Sequence, residues 1–266
     1  MLSFYCDLCG ISESSLKAVS SPAREQYERS RSRTIRQSGV LQIDATKALM
    51  RLLWLSRLSR PDLSFAVCRL ASNVSRWSKW DDRQLHRVVS YFKTTISYLC
   101  CGSVSYGYMP VPHAYSDADF ASCPWSAKST SGIMLGITTG EFFHSFPPEQ
   151  KQSSVARSTP EAEMIAFAAA LYGETLHIKE TLEYLFEQCI PTMLEQDNEA
   201  VIKIIQNKCS ARLRHCNRVH KVNMASTCET LESESSLKLR YCKSSEQLAN
   251  AFTKILAPIH WHLTRY

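Results

Sequence analysis

From Asp44 onward, apolar residues recur at the three- and four-residue spacing of buried helix faces. Asp44 can cap a helix bearing Ala48, Leu49, Leu52 and Leu55. Asp62, just after Pro61, opens a second with Leu63, Ala66, Val67, Leu70 and Val74, and Asp81 a third with Leu85, Val88, Val89 and Phe92. Three capped amphipathic helices predict a small bundle, with Trp77 and Trp80 as core or interface residues and not base-stacking ones. Residues 1–38 differ: Glu28-Arg-Ser-Arg-Ser-Arg-Thr34 is typical of a stretch rich in Ser and Arg, with little apolar periodicity, and predicts a disordered basic arm.

After Gly107 the period shortens. Val111 to Asp117, Gly132 to Thr138 and Glu141 to Phe146 read as strands, the last two joined at Thr139-Gly140 as a hairpin. A long helix follows, with Ser158 and Thr159 as alternative N-caps, Pro160 in its first turn, and Ser158 with Glu161 able to close a capping box. Its small residues Ala166, Ala169 and Ala170 let it lie close on a sheet. Met193 to Gln196 makes a short strand with Asp197 at its end, Lys238 to Cys242 a fifth strand, and Ser244 with Gln247 boxes a final helix. The order is βββαβαβα, an α/β fold with a mixed five-stranded sheet.

At 266 residues and 44% hydrophobic content the chain can bury a good core. No apolar run reaches the ~18 residues of a membrane span, and the first thirty residues lack the order of a signal peptide, so the expected setting is intracellular, cytoplasmic or nuclear, with no membrane partner. Eleven scattered cysteines, an odd count, fit reduced thiols. Cys6-Asp-Leu-Cys9 has no second pair at zinc spacing and is read as coincidence.

The net charge of +6 is unevenly placed. Residues 1–103 hold 16 Lys and Arg against 8 Asp and Glu; residues 106–266 hold 15 against 17. Within that acidic half, Lys203, Lys208, Arg212, Arg214, Arg218 and Lys221, with His215 and His220, form a run containing no acid. Such a run suits phosphate contact, since Lys and Arg displace counterions; each residue singly also fits a solvated helix face.

Asp117, Glu163 and Asp197 stand at the joints of the strands and helices. Mg²⁺ is usually held by a few carboxylates together with substrate phosphates, and this set fits that use. Each also has a plain alternative: Asp197 as a helix cap, Glu163 as a first-turn acid favoured by the helix dipole, Asp117 as a solvated strand-end acid. Asp119 and Glu161 lie two residues away. On a strand Asp119 shares a face with Asp117, whereas on a helix Glu161 and Glu163 point about 200° apart, so only one can meet the others.

Tyr115-Ser-Asp-Ala-Asp-Phe120, Lys128-Ser-Thr-Ser-Gly132, Ser158 to Ala166, Asp197-Asn-Glu-Ala-Val-Ile202, Arg212-Leu-Arg-His215 and Glu246 to Lys254, in this order, resemble the ribonuclease H region at the end of the Pol polyprotein of copia-type LTR retrotransposons. Leu58 to Val67 and Leu85 to Lys93 are similar to the helical end of that family's reverse transcriptase. The resemblance implies a helical region at 39–103 and a ribonuclease H-like domain at 104–266. It implies metal-dependent cleavage of the RNA strand of RNA–DNA hybrids, two Mg²⁺ or Mn²⁺ ions on Asp117, Glu163 and Asp197, nucleic-acid contact by the basic run, and a reverse transcriptase polymerase domain as a candidate partner. The family's last helix carries a fourth acid in a Leu-Ala-Asp pattern; here Leu248-Ala249 is followed by Asn250, which takes that catalytic position without its charge. No Tyr-x-Asp-Asp palm motif is present. A decayed Pol fragment that binds nucleic acid without cutting is the alternative.

Overall fold

The computed structural model describes residues 1–23, 37–98, 107–123, 126–138, 143–146, 149–208, 213 and 215–255. They form two compact units divided at Cys100 and Cys101, the first also taking in Ile255.

In the first unit the expected apolar spacing produces α2 (Ala45–Leu58), α3 (Ser64–Ala71) and α4 (Lys79–Thr94), preceded by α1 (Leu2–Cys9). Leu49, Leu52, Val67, Leu70, Leu85 and Val89 are fully buried in one core. The caps differ from expectation. Asp44 stands at its N-cap without a side-chain cap bond and instead pairs with Lys47 at 3.1 Å. Asp62 receives both arms of the Arg60 guanidinium, at 2.9 and 2.8 Å, and α3 starts two residues later. Asp81 is the third residue of its helix, closing a capping box with Ser78. Trp77 is buried and donates to Asp82 at 2.7 Å, which fits a core residue.

Within the stretch expected to be a loose arm, Leu2–Cys9 is a helix that buries Leu2, Tyr5 and Cys6 in this core. Those three sit at i, i+3 and i+4, a pattern masked by the polar residues that follow. The Arg-Ser run falls outside the described residues. Burial holds the Cys6 and Cys9 thiols above their usual pKa, as expected of inert core cysteines.

In the second unit, β1 (Val111–Asp119) is the central strand. It pairs antiparallel with β2 (Thr130–Thr138) and parallel with β5 (Thr192–Gln196), which pairs parallel with β6 (Leu237–Tyr241). β3 (Phe143–Phe146) and β4 (Glu149–Lys151) both lie antiparallel on β2, the first opposite Leu135–Thr138 and the second opposite Thr130–Gly132. The order β3-β2-β1-β5-β6, with its mixed directions, is the ribonuclease H-like arrangement. Among the described residues the sheet has six strands, not five: the chain re-pairs with β2 as β4 after β3, where a single third strand was expected. The turn at Thr139-Gly140 lies outside the described residues.

The long helix is α5 (Thr159–Ala170), continued through a π-helical turn at Leu171–Thr175 into α6 (Leu176–Phe186). Ala166 and Ala170 are buried and Ala169 half-buried, so the small face does bring α5 near the sheet. Met164, Phe167 and Leu171 pack with Ala114, Leu135 and Leu194 of the sheet. α7 (Glu199–Gln206), α8 (Cys216–His220) and α9 (Met224–Ser233) precede β6. The final helix is shorter than expected. Ser244 donates to Asp197 and Gln247 to the Ser116 carbonyl, so neither is free to box a helix, and only α10 (Asn250–Thr253) is helical.

Gly132 makes room for α10. A Cβ there would meet Thr253 Cγ2 at 2.7 Å, the Ala249 carbonyl oxygen at 2.8 Å and Phe252 Cβ at 3.1 Å. Gly132→Ala should therefore cost about 1–3 kcal/mol, read as a lower Tm by circular dichroism, because a backbone oxygen cannot swing aside as a side chain can. A Tm within a degree of the starting protein would mean that α10 does not pack there.

Candidate metal centre

Three elements bring the expected carboxylates together. Asp117 lies on the central strand opposite Gly132, Glu163 enters from α5, and Asp197 follows the last residue of β5. One carboxylate oxygen from each lies within 4.8 Å of the others. Asp117 and Glu163 are buried and Asp197 is partly so.

The plain alternatives for these acids fare differently. Asp197 does not cap α7: Asn198 does, accepting from Ala200 N at 3.0 Å and Val201 N at 3.4 Å. Gln196 Oε1 takes the Asp197 N–H at 2.9 Å, and Ser244 Oγ donates to Asp197 Oδ2 at 2.7 Å, so the carboxylate is aimed by its neighbours. Glu163 is the fifth residue of α5, past the reach of the dipole's positive end; the first-turn acid is Glu161. Asp117 is buried, not a solvated strand end.

The cluster holds negative charge under strain. Burial, then the charges of Asp117 and Asp197, push the Glu163 carboxyl up to about 9. Its Oε2 is buried without a hydrogen-bond partner. Among the described residues one cation reaches in: Lys254 Nζ is 3.3 Å from Asp117 Oδ1, and the Thr253 hydroxyl donates to Asp117 Oδ2. Buried carboxylates crowded together, with an oxygen left unpaired, are a donor set that fits a hard dication such as Mg²⁺ or Mn²⁺.

Asn250 stands beside the cluster, joined to it through the ammonium of Lys254. Its Oδ1 accepts from Lys254 Nζ at 2.6 Å and its Nδ2 donates to the Ser244 carbonyl at 2.9 Å, so it anchors the lysine. Neither Thr253 nor Lys254 was singled out from sequence. The signal was in Gly132, whose missing side chain lets α10 reach β1. Asp119 lies at the end of β1 and does not join the group.

Glu161 points the other way, as the helix period requires. It does not close the expected capping box; Ser158 alone caps, accepting from Glu161 N at 3.4 Å. The Glu161 carboxylate accepts from His215 Nε2 at 2.9 Å, His220 Nε2 at 2.7 Å and the Arg157 backbone N–H at 3.1 Å. Desolvation would raise its pKa, but these bonds hold it below the usual carboxylate range.

The basic run is divided. Lys203 pairs with Glu199 at 3.2 Å and Lys208 with Glu232 at 2.6 Å, so acids absent from the run reach it from its flanks and from α9. His215 faces Glu161. Arg218 and Lys221 are exposed; Arg212 and Arg214 lie outside the described residues.

No family model matches the chain. Among solved structures it is similar to the ribonuclease H1 of the halophilic archaeon Halobacterium salinarum, with 16% identity over 52% of this chain and 89% of the other and a TM-score of 0.33. It is similar to a ribonuclease H1 isolated from compost, with 11% identity over 53% and 88% and a TM-score of 0.34. The PFV ribonuclease H domain shares 15% identity over 59% and 96%, at a TM-score of 0.33. The fold assignment rests on strand order and direction, and the reading of the site on its own geometry.

Proposed function

We propose that this chain is a retroelement-derived ribonuclease H of the copia-type Pol kind, cutting the RNA strand of RNA–DNA hybrids with two Mg²⁺ or Mn²⁺ ions. The observation that carries the reading is the meeting of Asp117, Glu163 and Asp197 in one buried cluster. When bound, such ions supply an acidified water and charge neutralisation at the scissile phosphate. Asp117, Glu163 and Asp197 would hold them. Ser244 and Thr253 fix the two aspartates, and Asn250 holds the Lys254 ammonium beside Asp117, where it can meet a phosphate oxygen. Substrate choice would come from the 2′-hydroxyl and the shape of the hybrid, without a base code.

The test is a labelled RNA–DNA hybrid with Mg²⁺ or Mn²⁺, beside single-stranded RNA and duplex DNA. Metal-dependent cutting of the hybrid's RNA strand alone supports the reading; no cutting with either ion overturns it. A non-catalytic nucleic-acid binder is the second reading, favoured by the Lys254 charge already seated on Asp117 and by the uncharged Asn250. It predicts hybrid binding in Ca²⁺ without cutting in Mg²⁺.

The divided basic run makes its own prediction. Arg218→Ala and Lys221→Ala should each flatten the slope of log affinity against log salt by about 0.7 to 0.9, one phosphate contact apiece. Lys203→Ala and Lys208→Ala, already paired with glutamates, should change it less. Fluorescence anisotropy at several salt concentrations reads the difference, and slopes unchanged from the starting protein in Arg218→Ala and Lys221→Ala would return the run to a solvated face.

A further inference from the structure

A second constellation lies apart from the three carboxylates. His215 Nε2 and His220 Nε2 converge on one oxygen of Glu161, Oε1, at 2.9 and 2.7 Å, and a ligand atom from each of the three residues lies within 4.8 Å of the others. Glu161 and the His220 side chain are each 1% exposed, and the His215 side chain is 25% exposed. The outward-facing atoms are already held. Glu161 Oε2 accepts from Arg157 N, and His220 Nδ1 lies 2.6 Å from Ser154 Oγ. Outer bonds of this kind orient metal ligands and fix which imidazole nitrogen faces the ion.

We propose that Glu161, His215 and His220 form a second metal site, for a borderline ion of the Zn²⁺ class. Two imidazoles and a carboxylate are a Zn²⁺ ligand set that leaves a fourth position open, whereas Mg²⁺ prefers oxygen donors. With bonds of about 2.0–2.2 Å, tetrahedral donors stand roughly 3.3 Å apart, so the rings need draw back only about half an ångström from Glu161. His215 is the exposed corner through which an ion enters and a water completes the shell. The site would clamp the basic segment at α8 to the start of α5. It does not depend on the carboxylate cluster being catalytic.

The test uses the full chain in excess Mg²⁺, which occupies hard oxygen sites, titrated with Zn²⁺ by calorimetry and with Co²⁺ by its visible ligand-field absorption. The expected result is one Zn²⁺ per chain, with affinity falling at least a hundredfold in His215→Gln and in His220→Gln and about tenfold in Ser154→Ala. Asp117→Asn should leave it unchanged. X-ray absorption on the Zn²⁺-loaded starting protein gives a reading independent of whether a variant folds, and should show two imidazole ligands and no sulfur. An oxygen-only shell or sulfur ligation overturns the proposal, as does a Zn²⁺ affinity that survives both histidine changes or is lost in Asp117→Asn.

Discussion

Asp117→Asn should abolish hybrid cleavage, by about a thousandfold or more, while leaving the fold intact. The change removes the charge most deeply set in the cluster but keeps an oxygen to accept from Thr253. Binding dications to two carboxylates in place of three loses several kcal/mol where charge develops, and each 1.36 kcal/mol is a factor of ten in rate. Single-turnover cleavage beside circular dichroism separates the effects. Glu161→Gln, directed at the histidines, should cut far less deeply; if it proved as damaging as Asp117→Asn, the assignment of Glu163 over Glu161 would be wrong.

The second large effect concerns stability. In EDTA, Glu163→Gln should stabilise the protein. A carboxyl whose folded pKa is raised from 4.5 to about 9 adds no penalty below pH 4.5, and its penalty grows as the pH climbs toward 9. At pH 7 that amounts to about 3 kcal/mol. Glutamine is neutral throughout, so the variant should unfold several degrees higher at pH 7 and lose the downward slope seen between pH 5 and 9. Added Mg²⁺ should raise the Tm of the starting protein and do so less in the variant. A variant no more stable than its parent in EDTA would mean that Glu163 is not the strained group.

What could be read in advance follows from the range of the interactions. α4, β1 and β2 were legible because apolar period is local. Asp117, Glu163 and Asp197 could be picked out by wording and order, and the structure brings them together. Their partners were not legible. Thr253 reaches Asp117 across 136 residues of chain, and no local rule links them. Asn198 took the cap that Asp197 could equally have filled, since Asx residues are near-equivalent caps. His215 read as part of a basic run because its charge partner, Glu161, is 54 residues upstream. Leu2–Cys9 was missed because one short helix carries too few periods to stand out from a polar neighbourhood.

The position of β1 also bears on how the chain reaches this state. One edge pairs with β2, its neighbour in sequence, and the other with β5, which pairs in turn with the still later β6. Closing those long loops carries an entropic cost that is met before any contact offsets it, which makes parallel pairing slow. During synthesis the β1–β2 hairpin can form while one edge of β1 is still bare. The carboxylate cluster needs β5 as well as β1 and is therefore expected to assemble late: a nascent or truncated chain ending before α10 would leave Asp117 without Thr253 and Lys254 and the face of Gly132 uncovered, which invites aggregation.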